Sequence, residues 1–187
     1  MTKEREKNRI FTIQKHAASH LHYDFRLEMG GILKSWAIPK GPSLDPSVKR
    51  LAVLVDDHAL DYADFEGVIE EGSYGAGLVL VWDMGDYEYI PPSKGGDDPM
   101  ASIRIGKIEF ILYGHRLKGR FVLLRLKGQE KNWLLIKAKD EFAIPDRDIV
   151  SEETRSVLSK RSLEEMKEEE RMGILKTYRC GKDGDRQ

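Results

Sequence analysis

The chain has 187 residues, of which 40% are hydrophobic and 34% are charged, and its formal net charge is −1. This length suffices for one domain with its own core, and the single cysteine, Cys180, excludes an internal disulfide. No apolar run approaches the ~20 residues that span a bilayer, and no apolar stretch follows the charged N-terminus, so we expect a cytoplasmic protein without membrane contact.

Short apolar runs separated by turn residues follow one another from residue 9 to residue 145. Residues 1–8 are charged and predict a flexible N-terminal arm. Gly30-Gly31 predicts a two-residue hairpin turn. The predicted strands read FTIQ, LHYDFRLEM, ILKSWAI, LAVLVDD, GLVLVWD, IRIGKIEFILYG, GRFVLLRLKG and NWLLIKAK. Many short strands with glycine-rich turns at roughly ten-residue spacing predict a mainly β domain, an antiparallel sandwich or barrel, over residues 9–145.

Residues 146–187 differ in character from this β domain. Ser162 followed by Glu165 is a capping-box pattern, and LEEMKEEERM after it favours a helix. SEETRSVL before it predicts one or two further helical turns, and the final GKDGDRQ predicts disorder. We therefore expect a helical and disordered C-terminal tail.

Charge is unevenly distributed along the sequence. Residues 56–98 contain twelve Asp or Glu against one Lys, whereas residues 101–139 contain ten Lys or Arg against two Glu. A basic sector on a neutral protein can attract phosphate, because the local field matters more than the net charge. The two sectors can equally be solvated surfaces that face each other.

The most informative segment is QKHAASHLHYDFRLE, residues 14–28. Alternate side chains of a strand share a face. One face therefore presents His22, Asp24 and Arg26, two metal-ligand types and a cation. The opposite face is apolar and suits a core; it carries Leu21, Tyr23, Phe25 and Leu27.

His22 and Asp24 can bind one ion together, because a strand separates them by about 6–7 Å along the backbone. His16 lies across a short linker that can bring it beside the same strand. Two imidazoles and one carboxylate suit Mn, Fe or Zn and leave positions open for water or substrate. His20 faces the same side as His22; we interpret it as a surface residue, with a ligand role in place of His16 as the alternative.

Phosphate chemistry also needs fixed positive charge. Arg26 shares the face of the predicted ligands and can bind two phosphate oxygens at once. Lys40 and Arg50 flank the next turn and strand, where a solvated surface role is the alternative. His58 can exchange a proton near neutral pH or hydrogen-bond a phosphoryl group. Tyr62 can supply a hydroxyl donor, with a buried core tyrosine as the alternative.

These residues belong to a longer pattern. FTIQKHAASHLHYDFRLEMGGILKSWAIPKGPSLDP, then KRLAVLVDDHALDYADFEG, GSYGAG and VWDMGDYE, closely resemble the 3′-phosphoesterase family. That module occurs attached to bacterial multidomain ATP-dependent DNA ligases (ligase D) and as free-standing proteins, and we expect a free-standing member. The resemblance covers roughly residues 9–166, and its QKH-x5-H-x-D-x-R string is specific.

The resemblance implies a single-domain antiparallel β-barrel with short flanking helices. It also implies manganese dependence and removal of 3′-phosphates and 3′-terminal ribonucleotides from DNA or RNA ends during repair. The expected partners are those 3′ ends, an ATP-dependent DNA ligase and other end-joining proteins.

Residue by residue, the resemblance separates three groups of positions. His16, His22 and Asp24 match the metal ligands of the family. The positions that handle phosphate are matched by Arg26, Lys40, Arg50 and His58. Gln14 and Tyr62 match positions tied to activity. The family often reads Glu-Asp-His-Pro where this chain reads DDHA at residues 56–59, which keeps the first carboxylate on a shorter stem.

Two other functions fit parts of the pattern. His22, Asp24 and a distant His58 mimic the two-His-one-carboxylate triad of a non-haem Fe(II) oxygenase on a β-barrel, with Arg104 as the nearest later arginine for a co-substrate carboxylate. The basic sector would also suit a non-catalytic nucleic-acid-binding barrel. The latter leaves the face of His22, Asp24 and Arg26 unexplained.

Overall fold

The computed structural model describes residues 9–73, 75–94 and 96–175, and the backbone of residues 177–178. The predicted N-terminal arm and the terminal GKDGDRQ lie outside these residues. The strands are β1 (Arg9–Ala17), β2 (Leu21–Met29), β3 (Ile32–Ile38), β4 (Lys49–Ala59), β5 (Gly67–Ile69), β6 (Gly77–Ile90), β7 (Lys107–Gly114), β8 (Lys118–Arg125), β9 (Asn132–Lys137) and β10 (Thr177–Tyr178). The helices are a 3-10 turn (Leu60–Tyr62), α1 (Pro99–Ile105), α2 (Ile149–Glu152) and α3 (Leu163–Arg171).

Eight of these strands close into an antiparallel barrel. Their order is β1-β2-β3-β4-β9-β8-β7-β6, and β6 returns to pair with β1. The turn between β2 and β3 has two glycines with positive φ, Gly30 at 61° and Gly31 at 86°, which is the conformation that a two-residue hairpin of type I′ requires. The predicted barrel, with its Gly30-Gly31 hairpin, is confirmed.

Alternate residues of the barrel strands fill its interior. The side chains of Phe25, Trp36 and Phe110 are fully buried, and the Phe25 ring centroid lies 6.5 Å from that of Trp36 and 5.7 Å from that of Phe110. Burial of each such side chain stabilises the fold by about 1.5–3 kcal/mol. The apolar face predicted for β2 enters this core at Tyr23, Phe25 and Leu27, whereas Leu21, at the start of the strand, is 48% exposed.

A segment between β4 and β6 covers part of the outside of the barrel. This covering segment, residues 60–73 and 75–76, contains the 3-10 turn and β5, which pairs with β6. It forms a second apolar cluster, separate from the barrel interior, made of Leu33, Tyr62, Ala63, Phe65, Ile69 and Val79. Outward-facing residues of β1, among them Gln14 and His16, are consequently buried.

One predicted strand begins later than expected. The run IRIGKIEFILYG was expected to be extended throughout, but residues up to Ile105 belong to α1 and β7 begins at Lys107. Asp98 caps the helix by accepting from the Met100 N–H, and Pro99 opens its first turn. Gly106 ends it with a φ of 90°. These helix-start and helix-stop signals outweigh the β propensity of the apolar run.

The C-terminal segment packs on the barrel. The predicted capping box of Ser162 and Glu165 is present at the start of α3. Apolar side chains of this segment join the barrel core: Ile149, Leu163, Met166 and Leu175. Of the expected helix over SEETRSVL, only Ser151 and Glu152 are helical, as the last two residues of α2. Among the described residues, none of the helices has the length and apolar character that crossing a membrane would require.

Candidate metal and phosphate site

The polar face of β2 lies on the outside of the barrel, against β1. In the antiparallel register His16 is opposite His22, and Gln14 is opposite Asp24. Opposed residues of neighbouring strands project to the same face. The covering segment closes over this face and leaves a cavity of about 390 Å3, lined by His16, His20, Leu21, His22, Asp24, Arg26, Ala37, Pro39, Val55, Asp56, His58, Tyr62, Ile69 and Gly75.

His16, His22 and Asp24 form one cluster, the metal group. Each offers a ligand atom, and these atoms all lie within 4.8 Å of one another. The distance from His16 Nδ1 to Asp24 Oδ2 and that from His22 Nε2 to Asp24 Oδ1 are both 3.3 Å. Two neutral imidazoles and a carboxylate at such separations are the donor set of an open transition-metal site.

The histidines of the metal group keep nitrogen atoms for a ligand. His22 Nδ1 lies 3.0 Å from the carbonyl oxygen of His20, so in the neutral ring Nδ1–H donates to that oxygen and Nε2 keeps its lone pair. A hydrogen bond of this kind commonly orients a metal-binding histidine. The Nε2 atom of His16 is buried and has no hydrogen-bond partner in the described structure. Both features fit a bound cation.

The electrostatics keep Asp24 ionised. Burial acts to raise the pKa of this carboxyl group, but hydrogen bonds from His16 and His22 and the charge of Arg26 outweigh burial and hold the pKa well below its usual range. For His22, burial acts to lower the pKa, but the hydrogen bond and charge of Asp24 prevail and raise it. The group is therefore an anion flanked by two imidazoles, which attracts a divalent cation.

Arg26 joins this group to the rest of the cavity. Its Nε donates to Gln14 Oε1 at 2.7 Å, and its Nη1 donates to Ser35 Oγ at 2.8 Å and to His58 Nδ1 at 3.0 Å. Its Nη2 donates to Asp24 Oδ2 at 3.3 Å. A guanidinium has five N–H groups, so one remains for a ligand. The predicted two-pronged contact with phosphate therefore requires one of the internal hydrogen bonds to break.

Arg26 also contacts His58 and influences its protonation. His58 Nδ1 has two competing contacts: Arg26 Nη1 at 3.0 Å, which can only donate, and the carbonyl oxygen of Asp56 at 3.1 Å, which can only accept. The first contact places the ring proton of neutral His58 on Nε2, and the second places it on Nδ1. Burial, followed by the positive charge of Arg26, lowers the pKa of His58. The lowered pKa favours the neutral imidazole of His58, and in the tautomer that accepts from Arg26 its Nε2–H is a hydrogen-bond donor. Its ring centroid lies 4.9 Å from that of Tyr62.

Gln14 and Tyr62 contact Arg26 and connect it to the covering segment. The Gln14 amide is fully buried and donates to the carbonyl oxygens of Tyr62 at 2.8 Å and Phe65 at 3.2 Å. The Tyr62 ring lies in the apolar cluster of the covering segment, lines the cavity and faces the Arg26 guanidinium at 5.1 Å. The core role and the site role foreseen for Tyr62 are therefore not exclusive.

Three other candidates are positioned differently. Lys40 is exposed in the turn after β3, and Arg50 shares the inward side of β4 with buried Ala52. Neither of these two described residues lines the cavity. His20 lines it but is outside the metal group, and its carbonyl oxygen accepts from His22.

Sequence reasoning missed Ser35 and Gly75. Ser35 anchors Arg26, and its position became evident only from the β2–β3 register, in which it is opposite Arg26. Gly75 has a φ of 77°, and a Cβ atom there would lie 3.3 Å from His16 Cε1. The GSYGAG string entered the sequence analysis only as part of the family resemblance, whereas Gly75 within it lines the cavity.

Comparison with known proteins gives an independent line of inference. The sequence model of the DNA ligase D 3′-phosphoesterase domain matches residues 14–125, which include the whole metal group. The "Multifunctional non-homologous end joining protein LigD" of Pseudomonas aeruginosa is 51% identical over 178 residues, covering 93% of this chain and 20% of the relative. The protein of the same name from Mycobacterium bovis is 44% identical over 131 residues, covering 70% of this chain and 16% of the relative.

A further relative of that name, from Mycolicibacterium smegmatis, is 41% identical over 138 residues and 72% of this chain. The chain thus spans about a fifth or less of the length of these relatives. The family model nevertheless covers more than half of the chain, from the second half of β1 to the end of β8, including the residues that line the cavity. The chain therefore belongs to the DNA ligase D 3′-phosphoesterase domain family.

Proposed function

We propose that this protein is a Mn2+-dependent phosphoesterase that removes 3′-phosphates and 3′-terminal ribonucleotides from DNA or RNA ends. The observation that carries the proposal is the carboxylate of Asp24, which lies within 3.3 Å of His16, His22 and Arg26. A metal-ligand set and a phosphate-binding cation thus share one cavity. This combination is typical of metal-assisted phosphoryl hydrolysis.

In the proposed hydrolysis, each group of residues has a separate role. His16, His22 and Asp24 would hold the ion, which when bound supplies positive charge to a phosphate oxygen and acidifies a coordinated water. Arg26 offers its remaining N–H to a non-bridging oxygen. His58 donates from Nε2 to the phosphoryl group or to the leaving 3′ oxygen. Asp24 keeps Arg26 in place, because it accepts from Nη2.

The biological setting follows from the relatives. The names of the similar proteins assign them to non-homologous end joining. We place this chain in the same setting, acting on 3′ ends before an ATP-dependent DNA ligase and other end-joining proteins seal them. Lys40, exposed in the turn after β3, stays within the proposal as a phosphate contact of a longer strand. Arg50 lies on the inward side of β4 with Ala52 and outside the cavity lining, so its match to a phosphate-handling position of the family stays a prediction.

An oxygenase is less well supported by the geometry. Its triad would combine His22, Asp24 and His58, but the described metal group contains His16, while His58 accepts from Arg26. Arg104, the arginine foreseen for a co-substrate, lies in α1 and does not line the cavity. Consumption of oxygen and 2-oxoglutarate by the protein would reverse this preference.

The decisive experiment uses a primer-template whose primer ends in a 3′-phosphate. After incubation with protein and Mn2+, a polymerase should extend the primer, whereas His22→Ala should leave it blocked while retaining the wild-type circular dichroism. A primer ending in one ribonucleotide tests the second activity. Extension after incubation with fully metal-stripped protein would refute the metal assignment. A gel shift with an unchanged 3′ end would instead favour the non-catalytic binding barrel.

A further inference from the structure

The cavity has an apolar side that the hydrolytic residues do not form. Ala37 and Val55 line it from β3 and β4, Pro39 lines it just beyond β3, and Leu21 and Ile69 line it from β2 and β5. Leu21 is a large hydrophobic side chain that is 48% exposed. Apolar side chains form most of the lining of small-molecule sites, beside a few polar groups that orient the ligand.

The strand register determines where this apolar side lies. Ala37 is opposite Asp24, and Val55 is opposite Ser35, which in turn is opposite Arg26. Neighbouring strands are separated by about 4.8 Å. The apolar side therefore begins one strand away from the metal group. A sugar attached to a phosphate bound at the metal group would lie at about this distance.

The size of the cavity leaves room for such a group. Its volume of about 390 Å3 lies within the range of small-molecule sites, about 300–1,000 Å3, and one phosphate group would leave most of it unfilled. Ala37, Pro39 and Val55 offer no side-chain hydrogen bond to a ligand. A group seated on them is held by apolar contact and by its shape.

We propose that this apolar side is a nucleoside subsite, which takes the sugar and base next to the scissile phosphate without distinguishing the four bases. The inference rests on the proposed function, because that function identifies the group attached to the phosphate. We infer base-independent binding because the planar faces of all four bases can pack on Ala37, Pro39 and Val55, none of which can read a base edge. Asp56 also lines the cavity, and its contact with a base edge would instead produce a base preference.

The test compares two probes that resist hydrolysis. One is a thymidine in which a methylene group replaces the 3′ oxygen of thymidine 3′-phosphate, and the other is methylphosphonate, which has the same charged group without a nucleoside. Calorimetric titration of the Mn2+-loaded protein should show at least tenfold tighter binding of the nucleoside probe. Equal affinities would overturn the proposal. This binding measurement needs no turnover, so it is independent of the primer-extension test. A protein that leaves the 3′-phosphate primer blocked would refute the esterase activity, and a tenfold affinity difference in that same protein would still support the subsite.

Variants locate the subsite. Ala37→Leu should fill it and reduce the affinity difference between the probes to less than threefold, with methylphosphonate affinity unchanged. Val55→Ala should reduce the difference several-fold and serves if the larger side chain disturbs folding. Ala101 is a half-buried alanine of α1 that does not line the cavity. The matched control is therefore Ala101→Leu, which should keep the full affinity difference between the two probes. A full difference in both cavity variants would place the nucleoside elsewhere.

A separate measurement tests whether binding depends on the identity of the base. The adenine, guanine and cytosine counterparts of the nucleoside probe should bind within about threefold of the thymine probe. An abasic probe, with the same sugar and no base, should lose most of the affinity that the nucleoside adds. A preference above tenfold for one base, or full affinity of the abasic probe, would contradict apolar packing of the base.

Discussion

The imidazole of His58 lies between a fixed cation and an aromatic ring. Arg26 donates to its Nδ1, and the Tyr62 ring lies against its face. The lowered pKa of His58 favours the neutral ring. In the tautomer that accepts from Arg26, Nε2–H is the donor, and the ring does not need the metal to hold it. A substitution of His58 should therefore lower the hydrolytic rate without lowering metal affinity. The oxygenase hypothesis predicts loss of both, because it makes His58 a metal ligand.

His58→Ala should keep Mn2+ affinity near the wild-type value while it lowers the hydrolytic rate by roughly 10²–10⁴-fold. The physical reason is that the variant removes a donor to the phosphoryl group and leaves His16, His22 and Asp24 intact. Metal titration followed by single-turnover kinetics on a 3′-phosphate oligonucleotide measures both quantities. A parallel loss of metal affinity would move His58 into the coordination sphere.

At this scale the sequence predicted residue types better than contacts. The two-residue period of β2 was enough to group His22, Asp24 and Arg26. The engagement of Arg26 could not be predicted, because its acceptors Gln14 and Ser35 come from two other strands. Which residues lie opposite each other depends on the strand register, and turn lengths and tertiary packing set that register.

The covering segment is the element that turns an exposed sheet face into a cavity. Gln14 connects it to the site, since its amide donates to the Tyr62 and Phe65 carbonyls and accepts from Arg26. The sequence showed the turn residues of this segment but not β5, whose three residues are too few for a periodic pattern. Its packing on the outside of the barrel had no local signal.

Gln14→Ala should lower the free energy of unfolding by roughly 1–3 kcal/mol, because it removes the acceptor of the buried Arg26 Nε–H. Activity should fall as well, since Arg26 loses its main restraint. Urea denaturation measures the first effect and primer extension the second. The control is Gln129→Ala, an exposed amide in the β8–β9 turn, expected to change stability by less than about 0.5 kcal/mol. Equal effects of both variants would contradict this role.

Glu66 ties the covering segment to the C-terminal segment. Its buried carboxylate accepts from the Val81 N–H at 2.8 Å and from the Ser156 hydroxyl, and lies 3.6 Å from Arg161 Nη2. This connection was not predictable, because the tail sequence indicated helix propensity but gave no sign of where the helix docks.

Glu66→Ala should therefore loosen both segments together. We expect a lower melting temperature and faster cleavage within residues 153–161 in limited proteolysis, with Glu66→Gln intermediate because it keeps an acceptor oxygen. Glu141→Ala, at an exposed position, provides the control and should match the wild type. If Glu66→Ala melts lower but is cleaved at the wild-type rate, the carboxylate supports only the barrel.

Across the whole molecule, the basic sector of residues 101–139 contains two kinds of cation. Arg116 donates to the Trp82 carbonyl and pairs with Glu153, Arg120 pairs with Glu109, and Lys137 is buried against Asp140. Such cations are committed to the fold. Lys107 is exposed and pairs with Glu109, and the other exposed lysines of the sector are Lys118, Lys127, Lys131 and Lys139. Sequence counts could not separate these classes, because pairing depends on the fold: Glu109 contacts Arg120 across neighbouring strands β7 and β8, and Glu153 contacts Arg116 from the C-terminal segment.

Reversal of exposed pairs, such as Lys127→Glu with Lys131→Glu, should weaken binding to a primer-template. It should also flatten the log-log salt dependence by about 0.7–0.9 for each phosphate that the protein no longer neutralises. Filter binding across a salt series measures both. Lys94→Glu with Lys167→Glu, two exposed lysines outside the sector, is the charge-matched control. If both pairs act alike, only net charge matters and the sector is ordinary surface.

The location of the cavity on the outside of the barrel has a consequence for changes in chain length. On β2 the core residues and the site residues alternate, so Phe25 faces inward and Arg26 outward. One inserted or deleted residue would exchange the two sets beyond that point, exposing aromatic rings and burying a cation without its partners. Such a change would abolish folding and activity at the same position. The Gly30-Gly31 turn, where a Cβ atom would meet nothing within 4 Å, has the open surroundings in which added residues are tolerated.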